Sequence, residues 1–185
     1  MSNNQAKISE KELIERCLSN ERKYQEILYR RYADKMYNVA LTYAHNMDDA
    51  SDILQDAFVS MFRNLKNFRF DCPIEAWIRK IVVNTALQKY HREKRKQEVY
   101  QDYFNESSAN DNFSEDVLER INAKEMIEMV NELPKKAAMV LKLFAIEGYG
   151  HNEISDLMNI TVGTSKSQLN RARSLLKQSL NELNG

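Results

Sequence analysis

The stretch from Ala50 to Leu65, ASDILQDAFVSMFRNL, decides the fold class of this chain. Its apolar residues recur at intervals of three and four, which places them on one face of an α-helix. The opposite face carries Asp52, Gln55 and Asp56. Asp52 and Asp56 lie beyond the first turn, where the helix dipole no longer explains acidic side chains. We therefore predict a long amphipathic helix with a buried stripe and a polar face suited to a protein partner.

The composition extends this prediction to the whole chain. Among 185 residues there are only four Gly and two Pro, too few turn residues for an all-β or α/β fold. These glycines cannot form GxxxxGK or GxGxxG, the two cysteines form no CxxC, and the three histidines are far apart. We therefore predict an all-α protein with no catalytic residue, no metal and no cofactor.

The same sequence predicts where the protein resides. No apolar run reaches the roughly 20 residues needed to cross a bilayer, and the N-terminus lacks a secretory h-region. The absence of a cysteine framework is typical of a reducing compartment. We therefore predict a cytoplasmic protein without membrane insertion.

The charges are segregated along the chain, although 27 basic residues balance 27 acidic ones. Residues 75–96 carry seven basic and two acidic side chains, and residues 160–178 carry four basic and none acidic. Between them, residues 97–116 carry six acidic side chains and none basic. This acidic segment is also rich in Asn and Ser, which predicts a flexible linker at 97–114 between domains at 1–96 and 115–185. Basic segments on both sides favour a polyanionic partner.

Start signals place the other N-terminal helices. Ser9 and Glu12 fit a capping box, so a helix begins near Ser9, and a second helix is predicted at 24–43. Pro73 suits the first turn of a further helix. The predicted buried stripe of that helix consists of Ile74, Trp77, Ile78, Ile81 and Val82.

The loop before Pro73 contains Phe68, Arg69 and Phe70. Aromatic rings beside an arginine, next to a basic helix, are typical of a base-stacking pocket for unpaired nucleic acid.

In the C-terminal domain we predict helices at 116–133, from Pro134 to about Glu147, at 151–158, and from Val162 onward. Residues Ala137, Val140, Leu141, Phe144 and Ala145 are expected inside. A short turn at 159–161 joins the last two helices, which is the helix-turn-helix arrangement. The exposed face of the last helix offers polar side chains that suit base edges and phosphates: Lys166, Ser167, Asn170 and Arg171.

Three motifs resemble those of the extracytoplasmic-function (group IV) sigma factors of bacterial RNA polymerase. DILQDAF at 52–58 resembles their polymerase-binding helix, and WIRKIVVN at 77–84 resembles the helix that meets the −10 element. LP at 133–134, EGYGHNEI at 147–154, VGTSKS at 162–167 and RAR at 171–173 resemble their −35-binding domain. The resemblance spans about residues 20–95 and 115–180.

This resemblance implies a set of site residues and partners. The polymerase-binding residues would be Asp52, Gln55, Asp56 and Phe58, facing the β′ clamp helices. Phe68, Arg69 and Asn84 would hold a base flipped from the −10 element. The DNA backbone near the melted region would contact Arg79, Lys80 and Gln88. The −35 duplex would be read by the helix-turn-helix at 151–170 with Thr164, Lys166, Ser167, Asn170 and Arg171. The C-terminal domain would also meet the β flap, the acidic linker would enter the RNA exit channel, and an anti-sigma factor would hold the protein inactive.

Three positions depart from the pattern of the family, and the first is Ser155, which replaces a usual Ala. Ser165 stands where Val is usual and places a hydroxyl on the buried stripe, and Gln168 stands where Arg is common, which removes one phosphate contact.

Two other functions remain open from the sequence. One is a transcriptional regulator with the same helix-turn-helix and a ligand-sensing N-terminal domain, although a sensor needs neither the carboxylate face nor the basic segment. The other is a helical adaptor with no role on nucleic acid, in which the basic last helix is a solvated surface.

Overall fold

The computed structural model describes residues 8–98 and 129–184. The chain forms two compact units that divide between Arg92 and Glu93. All regular secondary structure in the described residues is helical, so the predicted all-α class is confirmed. None of the helices in these two stretches is long and apolar enough to cross a membrane.

Residues 8–98 form four α-helices, and the last of them extends six residues beyond the N-terminal unit. Their bounds are α1 Glu10–Leu18, α2 Arg22–Tyr43, α3 Met47–Asn64 and α4 Ile74–Glu98, with a short 3-10 turn at Leu65–Asn67 after α3. The predicted cap is present, because the Ser9 side chain accepts a hydrogen bond from the Glu12 N–H at 3.1 Å. Asn46 caps α3 in the same way, by accepting from the Asp49 N–H at 2.8 Å. Polar N-caps therefore begin both helices.

Glu10 joins three helices of this unit. Its carboxylate accepts hydrogen bonds from the Tyr32 hydroxyl at 3.2 Å and from the Ile74 N–H, at the start of α4, at 3.4 Å. The helices enclose a core of fully buried side chains that includes Leu13, Ile14, Leu28, Met36, Ile53, Met61, Ile74 and Ile78. In α4 the buried face also takes in Val83, Ala86 and Leu87, whereas Trp77 and Ile81 are half-buried.

Helix α4 continues to Glu98, two residues into the segment predicted as a linker. The rest of that segment lies outside the described residues. So does most of the helix predicted at 116–133, of which residues 129–132 are described as helical.

The C-terminal unit contains α5 Lys135–Ala145, α6 His151–Met158 and α7 Val162–Asn184. Helices α6 and α7 are joined by the predicted turn, in which Asn159 has a φ of 51°. Asn tolerates this left-handed conformation better than most residues. The Thr161 side chain then caps α7 by accepting from the Thr164 N–H at 3.0 Å. This geometry gives the helix-turn-helix at the predicted residues.

The packing of α5 differs from its predicted stripe. Ala137 and Val140 are buried as predicted, but Ala145 is exposed, so its prediction as a core residue is wrong. The helix instead buries a wider face, because Ala137 and Ala138 pack in one cluster with Leu133 and Ala172 of α7. That face includes Lys142, whose amine donates to the Asn131 side chain at 3.2 Å and whose pKa burial lowers to about 8.

Candidate nucleic-acid interface

Helix α3 presents the predicted polar face to solvent. Asp52, Gln55 and Asp56 are all exposed, and the next turn adds Val59, an apolar side chain that is 44% exposed. Phe58 lies on the other side of the helix, 3% exposed, with its ring centroid 4.7 Å from that of Tyr29. Phe58 therefore belongs to the core beneath this face, and only the three polar side chains of the predicted set are presented.

A lysine of α4 connects this face to the next helix. The Lys89 ammonium forms an ion pair with Asp49 and lies 3.5 Å from an oxygen of Asp52. Asp49 also accepts from the His45 N–H at 2.8 Å. Burial alone would raise the pKa of Asp49, but these two donors outweigh it and lower that pKa. Local sequence patterns do not predict this contact, because Lys89 lies 40 residues from Asp49 in the chain.

The loop before α4 separates the roles of its two phenylalanines. Phe68 is 8% exposed and packs against Trp77, with ring centroids 5.3 Å apart. Phe70 is 49% exposed and lies 4.9 Å from the Phe68 ring. The surface aromatic of this loop is therefore Phe70 rather than the predicted Phe68, which supports it from below.

The backbone at Phe70 has a φ of 60°, a conformation that is a genuine outlier for a bulky side chain. Such strain persists where the surrounding structure fixes the chain, and it is concentrated at functional sites. The neighbouring Arg69 and Cys72 are both exposed. The other cysteine of the chain, Cys17, is buried, and burial raises the pKa of its thiol to about 11. The loop thus displays one aromatic ring, one guanidinium and one thiol.

Helix α4 carries a row of polar residues at every fourth position, which keeps them on one face. The row consists of Lys80, Asn84, Gln88 and Arg92, of which Asn84 is half-buried and the others are exposed. Arg79 is half-buried and is turned about 100° from Lys80 around the helix axis. The structure therefore brings Lys80, Asn84 and Gln88 together and separates Arg79 from them.

Helix α7 presents Lys166, Asn170 and Arg171 on its exposed face. Ser167 shares this face, but its hydroxyl donates to the Thr164 carbonyl at 3.0 Å. The Thr164 hydroxyl lies 2.9 Å from that of Thr161, within the cap. Among the five predicted residues, the two hydroxyls therefore have partners in their own helix, and the longer side chains extend from it.

The buried hydroxyl of Ser165 has a partner that the sequence analysis missed. Its oxygen lies 2.9 Å from Nδ1 of His151, so the pair joins α7 to the first residue of α6. The His151 ring stacks on Phe144 at 5.0 Å, and the Arg173 guanidinium lies 5.7 Å from the Phe144 centroid. Burial, followed by the positive charges of Lys166 and Arg173, lowers the pKa of His151.

Gln168 occupies a different place from the one expected. It is 8% exposed and lies on the core side of α7. Gln at this position therefore changes the packing of the unit rather than a surface available to phosphate.

Within residues 8–98 and 129–184, no three His, Cys, Asp or Glu side chains converge on a point where they could hold a metal ion.

Two family models match the chain, one to each unit. Residues 28–96 match Sigma-70 region 2, and residues 123–176 match Sigma-70, region 4. The first match contains the exposed face of α3 with Asp52, Gln55 and Asp56, the loop at residues 68–73, called the Phe70 loop, and the α4 row. The second match contains the helix-turn-helix.

Known sigma factors are similar to this chain along most of its length. The RNA polymerase sigma-H factor of Pseudomonas aeruginosa is 27% identical over 185 residues, covering 94% of this chain and 95% of the relative. The ECF RNA polymerase sigma factor SigW of Bacillus subtilis is 26% identical over 163 residues, covering 82% and 86%. The solved sigma factor RpoE of Bartonella quintana, in complex with the anti-sigma factor NepR, shares the fold with a TM-score of 0.52 at 19% identity, covering 86% of this chain and 98% of that one. The chain belongs to the sigma-70 family of RNA polymerase sigma factors, within its extracytoplasmic-function group.

Proposed function

We propose that this sigma factor, which directs RNA polymerase to promoters, divides that task among three surfaces of distinct chemistry. The α3 face, defined as Asp52, Gln55 and Asp56, docks on the β′ clamp helices of core polymerase. The Phe70 loop and the α4 row capture the melted −10 strand, and the exposed side of α7 reads the −35 duplex. The observation that carries the proposal is the exposed Phe70 ring in the loop that leads into α4, the helix that carries the row with Asn84.

The α3 face suits a basic protein partner. Two carboxylates and an amide occupy successive turns, and the Asp52 side chain is 72% exposed. Charge complementarity of this kind raises the association rate and fixes the register of docking. The exposed Val59 at the next turn provides an apolar contact that continues the same surface.

The Phe70 loop suits an unpaired base. Flipping a base out of a duplex costs a few kcal/mol, and stacking on an aromatic side chain returns roughly 1–3 kcal/mol per base. Phe70 supplies the stacking ring, and Asn84 supplies an amide that can bond a base edge. Lys80, Gln88 and Arg69 supply exposed polar groups that suit the phosphate backbone. Capture of the open strand can therefore stabilise melting without a nucleotide-hydrolysing site.

The exposed side of α7 suits a duplex. An α-helix fits the major groove, where Arg or Lys recognises guanine and Asn recognises adenine. Lys166, Asn170 and Arg171 provide these groups, while Thr164 and Ser167 shape the start of the helix. The predicted β-flap contact of the C-terminal domain and the entry of the acidic linker into the RNA exit channel remain part of this proposal.

The free protein is expected to bind promoters weakly. Its formal net charge is zero, so non-specific attraction to DNA is small. Two modest DNA-binding modules gain avidity only when polymerase fixes their spacing. An anti-sigma factor, as seen with the Bartonella relative, would keep this chain inactive in the cytoplasm by covering the α3 and α4 surfaces.

The direct test is to add the purified chain to core polymerase and measure initiation from promoters of the source cell. We expect transcripts with defined starts that neither component produces alone. A ligand-sensing regulator would bind duplex DNA by itself and fail to direct the core enzyme, and an adaptor would do neither.

A further inference from the structure

Lys89 lies between the two surfaces of the N-terminal unit that the proposed function assigns to different partners. It follows Gln88 of the α4 row directly in the chain, yet its ammonium reaches across to the first turns of α3. There it meets two carboxylates of unequal exposure, because the side chain of Asp49 is 11% exposed and that of Asp52 is 72% exposed.

The two ion pairs differ in strength for a physical reason. Asp49 is shielded from water, bonds the His45 N–H, and pairs with Lys89 at the shorter distance, so this contact persists. The Asp52 contact is exposed and 3.5 Å long, and exposed pairs are weak and screened by salt. A positive charge on a docking partner can therefore take Asp52 from Lys89, while Lys89 stays on Asp49.

We propose that Lys89 is a positioning residue that competes with core polymerase for Asp52 and, through Asp49, holds α4 in place for strand capture. This inference rests on the proposed function, because it requires Asp52 to face polymerase. It implies that loss of the Lys89 ammonium has opposite effects on two steps. Docking becomes stronger, because Asp52 loses its internal counter-ion, and strand capture becomes weaker, because α4 loses its attachment to α3.

The experiment compares Lys89→Met and Lys89→Arg in the full chain. For Lys89→Met we expect association with core polymerase to tighten about two- to fivefold at low salt, the range for one exposed ion pair, and the gain to vanish at high salt. Saturated holoenzyme carrying the same variant should bind a pre-melted −10 strand at least twofold more weakly. Lys89→Arg keeps the charge and should keep both properties.

A double-mutant cycle assigns the docking effect to Asp52. With Asp52→Asn already present, Lys89→Met should no longer tighten association. The same gain with and without Asp52, or strand capture that Lys89→Met leaves unchanged, would overturn the inference. A general structural defect would weaken both docking and strand capture. The proposal instead expects docking to become stronger while strand capture becomes weaker, so the two explanations are distinguished.

Two further controls keep the test decisive. Lys89→Met could unfold the unit by leaving the buried Asp49 carboxylate unpaired. The double variant Asp49→Asn/Lys89→Met removes that charge and should still dock more tightly on core polymerase. Unchanged docking by the double variant contradicts the proposed competition for Asp52. Charge reversal at Asp52 and Asp56 tests the docking face itself. If that reversal is harmless, the proposed docking face fails, whereas if it abolishes docking and only the Lys89 variants are silent, the competition alone fails.

Discussion

In the N-terminal unit the residues proposed to contact DNA come from a strained loop and the helix after it, whereas in the C-terminal unit they lie on one regular helix. The loop displays Phe70, half-exposed at a φ of 60°. Helix α7 is instead capped by Thr161 and joined to α6 by the buried Ser165–His151 contact.

The difference corresponds to two states of DNA. An unpaired base offers a flat face, on which an exposed aromatic ring such as that of Phe70 can stack. A duplex offers a groove of fixed width, and reading it requires a straight, rigid helix with long polar side chains. Under the proposed function, backbone strain therefore lies where a base would be captured, and a regular helix lies where a duplex would be read.

The largest effect is expected from loss of docking on core polymerase, because recognition of both the −10 and −35 elements depends on it. Replacing Asp52 and Asp56 by Lys should weaken association with core polymerase by about a hundredfold or more, because like charges then face each other across the interface. Titration of labelled chain with core enzyme measures it. Glu15→Lys, an exposed acid of α1, is the control, and circular dichroism should show both proteins folded. Equal binding by the double variant would remove α3 from the docking surface.

The next effect should fall on the loop alone. Phe70→Ala removes the stacking ring, so capture of a pre-melted −10 strand by holoenzyme should weaken about tenfold to hundredfold, with −35 duplex binding unchanged. Phe70→Tyr keeps a ring and should keep capture. Phe68→Ala should instead lower the stability of the unit, by about 3–5 kcal/mol for a buried Phe. A larger specific loss from Phe68→Ala in a folded protein would reverse the roles assigned here.

Asn84→Ala sharpens the same contrast with a smaller change. Loss of one amide should weaken capture of the pre-melted strand by about tenfold and leave the −35 duplex unaffected, because the two surfaces are on separate units. Strand-binding and duplex-binding assays of the same holoenzyme give the ratio. Equal losses in both assays would contradict the assignment of Asn84 to the −10 element.

On the C-terminal side, Arg171→Ala should weaken −35 duplex binding by about tenfold and spare the −10 strand, the reverse of the loop variants. Arg30→Ala removes an equal charge from the other unit and serves as the matched control. If Arg171→Ala weakens all duplexes equally, the side chain contacts phosphate rather than a base.

The smallest effect concerns the rigidity of the helix-turn-helix. The folded state lowers the pKa of His151, so the unfolded chain binds more protons as the pH falls below about 6.5. Stability of the C-terminal unit should therefore fall as the pH drops through that value and reach a plateau once His151 is protonated in both states. Denaturant unfolding at several pH values measures this. His151→Phe with Ser165→Val removes both polar partners and should abolish that pH dependence.

Regular elements were predictable because their cause is local. The Ser9 cap, the α3 stripe and the turn at 159–161 all depend on residues within a few positions of one another. Phe68 and Phe70 could not be told apart, because their burial depends on a left-handed backbone that no propensity favours for Phe. The Lys89–Asp49 pair was missed because it joins distant residues, and Gln168 and Ala145 were misplaced because the width of a buried face is set by the packing of neighbouring helices.

Of the two thiols of the chain one is exposed and the other buried, as is true of the two phenylalanines in the loop before α4. Cys72 is exposed, two residues beyond Phe70, whereas Cys17 is buried with its pKa raised to about 11. Because thiolate is the reacting species, a maleimide dye added near neutral pH should attach to Cys72 and leave Cys17 unmodified. The unaltered sequence thus offers a place for a fluorescent reporter beside the stacking ring, from which promoter opening could be followed in real time.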